Sequence, residues 1–150
     1  MTTDIKIALV TGAAKRLGRE IALNLAQAGW DLIVHYGNSE DQALETVRMI
    51  QQLGRRAVAI HANLAIQADT STLINRCIHA LGLPDCLVNN ASLFDYDTAQ
   101  TFTQQQLDAH MHVNVGAPMT LARDLHRFRI ESGQIFHHPA VVINLLDQKL

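Results

Sequence analysis

The chain has 150 residues, 48% of them hydrophobic and 17% charged, and a formal net charge of -2. That size suits one domain with its own core, and the charge balance argues against nucleic acid, whose binding rests on phosphate neutralisation. With no apolar leader, no membrane-length run and only two cysteines, Cys77 and Cys86, the expectation is a cytoplasmic protein without a membrane partner or a disulfide framework.

Apolar runs alternate with amphipathic stretches along the whole chain. Ile5 to Val10 is short, continuous and rich in β-branched residues, the pattern of a strand buried on both faces. A turn follows, then a helical pattern with Leu17, Ile21, Leu25 and Ala28 on one face, stopped by Gly29. Leu32 to Val34 is the second strand. Ser39 with Gln42 predicts a capping box for a helix ending near Gly54. Ala57 to Ile60 is the third strand, and Leu73, Cys77 and Leu81 mark a helix closed by Gly82. Cys86 to Val88 is the fourth strand. Thr103 with Gln106 opens a longer helical region reaching about Phe128, and Val141 to Leu146 is the fifth strand. This alternation predicts an α/β fold: one domain over residues 1–150, built on a doubly wound, Rossmann-like parallel sheet of about five strands.

The first strand runs directly into Thr11-Gly12-Ala13-Ala14-Lys15-Arg16-Leu17-Gly18 and then a helix. Gly12 permits a tight reversal, the small Ala13 and Ala14 admit close approach of a pyrophosphate, and the helix N-terminus adds unpaired N–H donors. Gly18 lets the helix pack closely on the strand. The second strand ends in Val34-His35-Tyr36-Gly37-Asn38-Ser39, with no carboxylate for ribose hydroxyls; Asp31 lies at the opposite end. With Lys15 and Arg16 on the turn, this favours a 2′-phosphate, and so NADPH over NADH.

The turn resembles that of the short-chain dehydrogenases/reductases, with Arg16 where the family usually has its middle glycine. That departure, His35-Tyr36, Ser39 and the later Asn89-Asn90-Ala91-Ser92 are most similar to the pteridine reductase branch. The resemblance implies that Gly12, Lys15, Arg16, Leu17, Ser39, Asn63, Leu64, Asn90, Ala91 and Ser92 hold NADPH. Asn63-Leu64 stands where the family usually has Asp-Leu against adenine. It also implies that Phe94 stacks on the substrate, although by itself Phe94 reads equally as a core aromatic. Asn114 would hold a water in a proton relay; the residue alone also reads as a local cap, where a helix ends and restarts. Pro118 has no N–H for the Asn114 carbonyl, so a kink is expected. Asp147 matches an aspartate of the pteridine reductases beside the reacting group, or else is a surface carboxylate past a strand.

The family's catalytic tyrosine, with a lysine four residues on, has no counterpart: Tyr36 and Tyr96 are the only tyrosines, and the lysines are Lys6, Lys15 and Lys149. The expectation is a chain truncated relative to the family. It carries the cofactor part of an NADPH-dependent oxidoreductase for a pterin, folate-like or carbonyl substrate, and is inactive by itself. A non-catalytic nucleotide-binding or interaction protein, or a non-functional fragment, is the alternative. The sequence does not give the oligomeric state; the resemblance, to a family that forms dimers and tetramers, leaves a homo-oligomer open. The eight histidines show no metal-ligand spacing, and no metal is expected.

Overall fold

Both faces of a parallel sheet must be covered by helices, and in the computed structural model, which describes residues 5–145, each of the first four strands is followed by helix. The elements are β1 (Ile7–Val10), α1 (Arg16–Gln27), β2 (Asp31–Tyr36), α2 (Glu40–Gln52), β3 (Ala57–His61), α3 (Gln67–Ala80), β4 (Cys86–Asn89), α4 (Gln104–Met111), a π-turn (His112–Gly116), α5 (Ala117–Glu131) and β5 (Val141–Asn144). The sheet order is β3-β2-β1-β4-β5, all pairs parallel. In register, Val10 lies beside Val34 on one side and Val88 on the other. The predicted doubly wound sheet is therefore present, and the C-terminal ends of β1, β2, β3 and β4 meet around the order reversal, where such sheets take ligands.

Successive strand residues feed opposite faces. Ala8, Val10, Leu32 and Val34 pack with Ala22, Ala26 and Ile50 of α1 and α2, while Ile7, Leu9, Ile33 and Leu87 pack with Leu73, Cys77, Leu121 and Leu125 of α3 and α5. Asp31, at the start of β2, is 1% exposed and carries its charge inward because Arg55 and Arg56 reach it at 2.7 and 2.6 Å. Burial raises its pKa, but the Arg56 hydrogen bonds and the charges of Arg55 and Arg56 outweigh that, and the net effect is a lowered value.

Several expectations are corrected. The buried face of α1 is Gly18, Ala22 and Ala26, with Ile21 and Leu25 beside it; Leu17 is 60% exposed and Ala28 lies at the open C-cap. Small residues form this face because the helix lies close to the sheet. Ser39 does occupy the N-cap of α2 but makes no cap hydrogen bond. Its ψ is 62°, whereas Thr103, with ψ 154°, has the extended backbone a capping box needs and forms one with Gln106. The long helical region is two helices joined by the π-turn. Ala117 N–H bonds back to the His112 carbonyl, and Pro118 follows with no N–H to give. Among the described residues β5 is an edge strand, and its Val141, Val142 and Ile143 are 40–46% exposed.

Candidate functional site

At the C-terminal ends of the strands lies an open cavity of about 420 Å³. The turn after β1 contributes Gly12, Lys15, Arg16 and Leu17; the segment after β2 contributes Ser39; that after β3 contributes Asn63 and Leu64; and that after β4 contributes Asn90, Ala91 and Ser92. Every position expected to hold the cofactor therefore lines one cavity. Phe94 and Asn114 lie on the same side but not in its wall, and Asp147 lies outside the described residues.

The glycine turn is held from both flanks. From β4, the Asn90 side-chain NH2 donates to the Thr11 and Gly12 carbonyls at 2.9 and 3.2 Å. The Thr11 hydroxyl accepts the Asn90 and Ala91 N–H groups, both at 3.0 Å. Asn89 turns the other way and donates to Asn144 of β5 at 2.8 Å. The successive asparagines thus tie neighbouring strand ends together, with Thr11 as the partner on the β1 side. From β2, the His35 carbonyl accepts the Ala13 N–H at 2.9 Å, and its ring Nδ1 accepts the Gly12 N–H at 3.0 Å.

Those bonds alter how an anion is taken. The Gly12 and Ala13 amides are already engaged, so the donors left for a phosphate are those that open α1, whose first N–H groups have no intrahelical acceptor. Lys15 and Arg16 are exposed beside them. Arg16 has φ +54°, the left-handed conformation a glycine adopts freely, so this side chain is retained against backbone strain. Gly18 cannot gain a side chain: an added Cβ would run into the Gly12 carbonyl oxygen and lie 2.5 Å from the Asn90 side-chain nitrogen.

No carboxylate ends β2; the nearest one, Glu40 in the first turn of α2, accepts from the Tyr36 hydroxyl at 3.2 Å. The Ser39 hydroxyl, spared from capping, lines the cavity. On the far side, Asn63 Oδ1 accepts the Ala65 N–H at 3.0 Å, which leaves its NH2 for a ligand, and Leu64 is buried beneath.

The loop after β4 is pinned by the helices above it. Asn114, in the π-turn, pairs both ways with the Leu93 peptide: its NH2 donates to the carbonyl and its Oδ1 accepts the N–H, each at 2.9 Å. His110 Nε2 accepts the Asp95 N–H at 3.0 Å. Between these anchors Phe94 is 68% exposed and meets the Tyr96 ring edge-on at 5.0 Å, so it is not a core aromatic. The described residues hold no group of three or more potential metal ligands.

Residues 6–137 match the family described as short chain dehydrogenase. The chain belongs to that family. It is 35% identical over 118 residues to hydroxynaphthalene reductase arp2 of Aspergillus fumigatus, covering 79% of this chain and 43% of that protein. It is 31% identical over 140 residues to a hydroxynaphthalene reductase-like protein of Metarhizium brunneum, covering 93% of this chain and 52% of that one. The FolM alternative dihydrofolate reductase 1 of Brucella suis, solved with NADP, superposes with a TM-score of 0.85 at 29% identity, over 96% of this chain and 58% of that one. A short chain dehydrogenase of Burkholderia cenocepacia, also with NADP, does so with a TM-score of 0.78 at 37% identity, over 81% of this chain and 50% of that one. The chain spans about half the length of the curated relatives it matches. No helix among the described residues is long and apolar enough to cross a membrane.

Proposed function

We propose that this chain binds NADPH and serves as the cofactor-binding part of an NADPH-dependent reductase for a pterin, folate-like or carbonyl small molecule. The observation that carries the reading is the cavity itself. Gly12, Lys15, Arg16, Leu17, Ser39, Asn63, Leu64, Asn90, Ala91 and Ser92 converge on it, with two cations and no strand-end carboxylate where a 2′-phosphate would lie. The residues suit that cofactor: the start of α1 offers amides to the pyrophosphate, Lys15, Arg16 and Ser39 offer donors to the 2′-phosphate, and the Asn63 NH2 offers a donor to the base. NADP-bound relatives, one of them a dihydrofolate reductase, support both the cofactor and the pterin-like end of the substrate range.

Bound NADPH supplies a hydride. The chain's own residues bind and orient it, and Asn114 fixes the loop that carries Phe94 toward the substrate side. Asp147 would add a carboxyl near the reacting group. A tyrosine with a lysine four residues on is absent from these 150 residues, so binding without turnover is the expected behaviour of the chain alone. The test is calorimetric titration of the purified chain with NADPH and with NADH. Tighter binding of NADPH supports the reading; equal or absent binding of both would refute it.

A further inference from the structure

His35 is 2% exposed, yet it is polar and lies within a run of apolar strand residues. Its ring has two partners. Nδ1 faces the Gly12 N–H at 3.0 Å, and Nε2 faces the Ala62 carbonyl at 3.0 Å. Only one assignment satisfies both: Nδ1 unprotonated and accepting, Nε2 protonated and donating. The ring is therefore a neutral bridge between the phosphate end of the site, at Gly12, and the base end, at the Ala62-Asn63-Leu64 segment. Burial, with the nearby charges of His61 and Arg76, keeps it in that form, and its pKa falls to about 4 even though the Ala62 bond favours the proton.

Gly12 is thereby clamped on both sides of its peptide plane positions. Asn90 holds its carbonyl, His35 holds its N–H, and between them the residue is kept at φ +63°. The His35 carbonyl removes the next donor by accepting the Ala13 N–H.

We propose that His35 is the positioning residue of the cofactor turn: by taking the Gly12 and Ala13 amides it directs the pyrophosphate to the amides that begin α1, and through Ala62 it fixes the base-binding segment relative to them. The role rests on the NADPH reading above.

The first test uses the full chain labelled with nitrogen-15, with NADPH as the ligand. A two-bond coupling between the Gly12 amide nitrogen and His35 Nδ1 is expected, and it should persist at saturating NADPH. Loss of that coupling on binding would show that Gly12 donates to the phosphate instead and would overturn the proposal. So would its absence from the free chain.

The second test compares His35→Gln with His35→Phe. Glutamine offers an acceptor and a donor in the same 1,3 relation as the ring nitrogens; phenylalanine keeps the volume and offers neither. The glutamine variant should bind NADPH within about threefold of the parent, and the phenylalanine variant about tenfold or more weaker, measured where circular dichroism shows it folded. Parent-like affinity in the phenylalanine variant would overturn the proposal. If that variant does not fold, the coupling measurement on the unmutated chain decides. A parent chain with the coupling intact but no affinity for NADPH would instead sink the cofactor reading, and the positioning role with it.

Discussion

Replacing Gly18 by alanine isolates one close contact. Gly18 is buried in the first turn of α1, and helix propensity alone says that alanine should stabilise the chain by about 1 kcal/mol. The surroundings say the reverse. The new methyl group would collide with the Gly12 carbonyl oxygen and sit 2.5 Å from the Asn90 side-chain nitrogen and 2.9 Å from the Gly12 carbonyl carbon. Two of those three atoms are backbone, in a turn that His35 and Asn90 hold in place, so neither can rotate aside. Overpacking of this kind costs about 1–3 kcal/mol. Displacing the Asn90 NH2 also loses its bonds to Thr11 and Gly12, at about 1 kcal/mol each. After the propensity gain is deducted, a net loss of about 2–4 kcal/mol remains, a large share of a typical domain's stability. Urea unfolding followed by circular dichroism should show the midpoint falling by about 1–2 M at an unchanged slope. NADPH affinity should fall as well. A midpoint equal to the parent's or above it would mean that propensity governs this position and that the turn and Asn90 are not packed as described.

Other outcomes follow from single contacts. Arg16→Gly relieves a left-handed residue but frees the unfolded chain, so stability should rise by no more than about 1 kcal/mol, while the preference for NADPH over NADH narrows; a widened preference in paired titrations would contradict the role given to Arg16. The His35 value of about 4 lies below the ordinary 6.5, so its contribution is complete above pH 6.5 and is lost as pH falls toward 4. That corresponds to about 3 kcal/mol, and a flat stability profile across the window would refute it. Asp31 is lowered too, so its contribution is present above the ordinary carboxylate range and is lost only at still lower pH; Asp31→Asn should flatten that lower limb of the profile. Finally, Val141, Val142 and Ile143 on the β5 edge, with Leu107, Met111, Val115 and Met119 along α4, the π-turn and α5, are all at least 40% exposed. Sedimentation velocity should show concentration-dependent self-association of the chain, and a monodisperse monomer would count against it.

Much of this was legible because the strands are continuous apolar runs and the turns sit at fixed places between them. Thr11 to Gly18, Ser39 and Asn90 could be placed in one corner from order alone, since parallel crossovers bring successive strand ends to one side. What escaped depends on direction rather than pattern. His35 looked like a strand-end polar residue, and only its bond to Ala62, just past β3, shows that its ring points inward and bridges. Ser39 had the composition of a cap, but the backbone torsion that decides capping is set by the turn before it. The proline at position 118 signalled a break, yet not that Asn114 would spend its side chain on Leu93. Leu17 fitted an apolar stripe, but the left-handed Arg16 precedes it and Gly18, Ala22 and Ala26 face the sheet instead.

The two faces of the sheet are completed at different points along the chain, and that sets an order of assembly. The face covered by α1 and α2 is complete once Val88 has been made, and most of its members fall between Ala8 and Ala57. The opposite face needs Leu121 and Leu125, which arrive much later and close a longer loop onto β1. During synthesis the turn that holds Gly12 can therefore settle on a finished layer while the reverse of the sheet, already covered by α3, still lacks α5. Pulse-labelled hydrogen exchange should find the Val34 amide protected before that of Leu121. The nucleotide corner would then be among the first parts of the molecule to take shape, ahead of the helices that pin the loop above it.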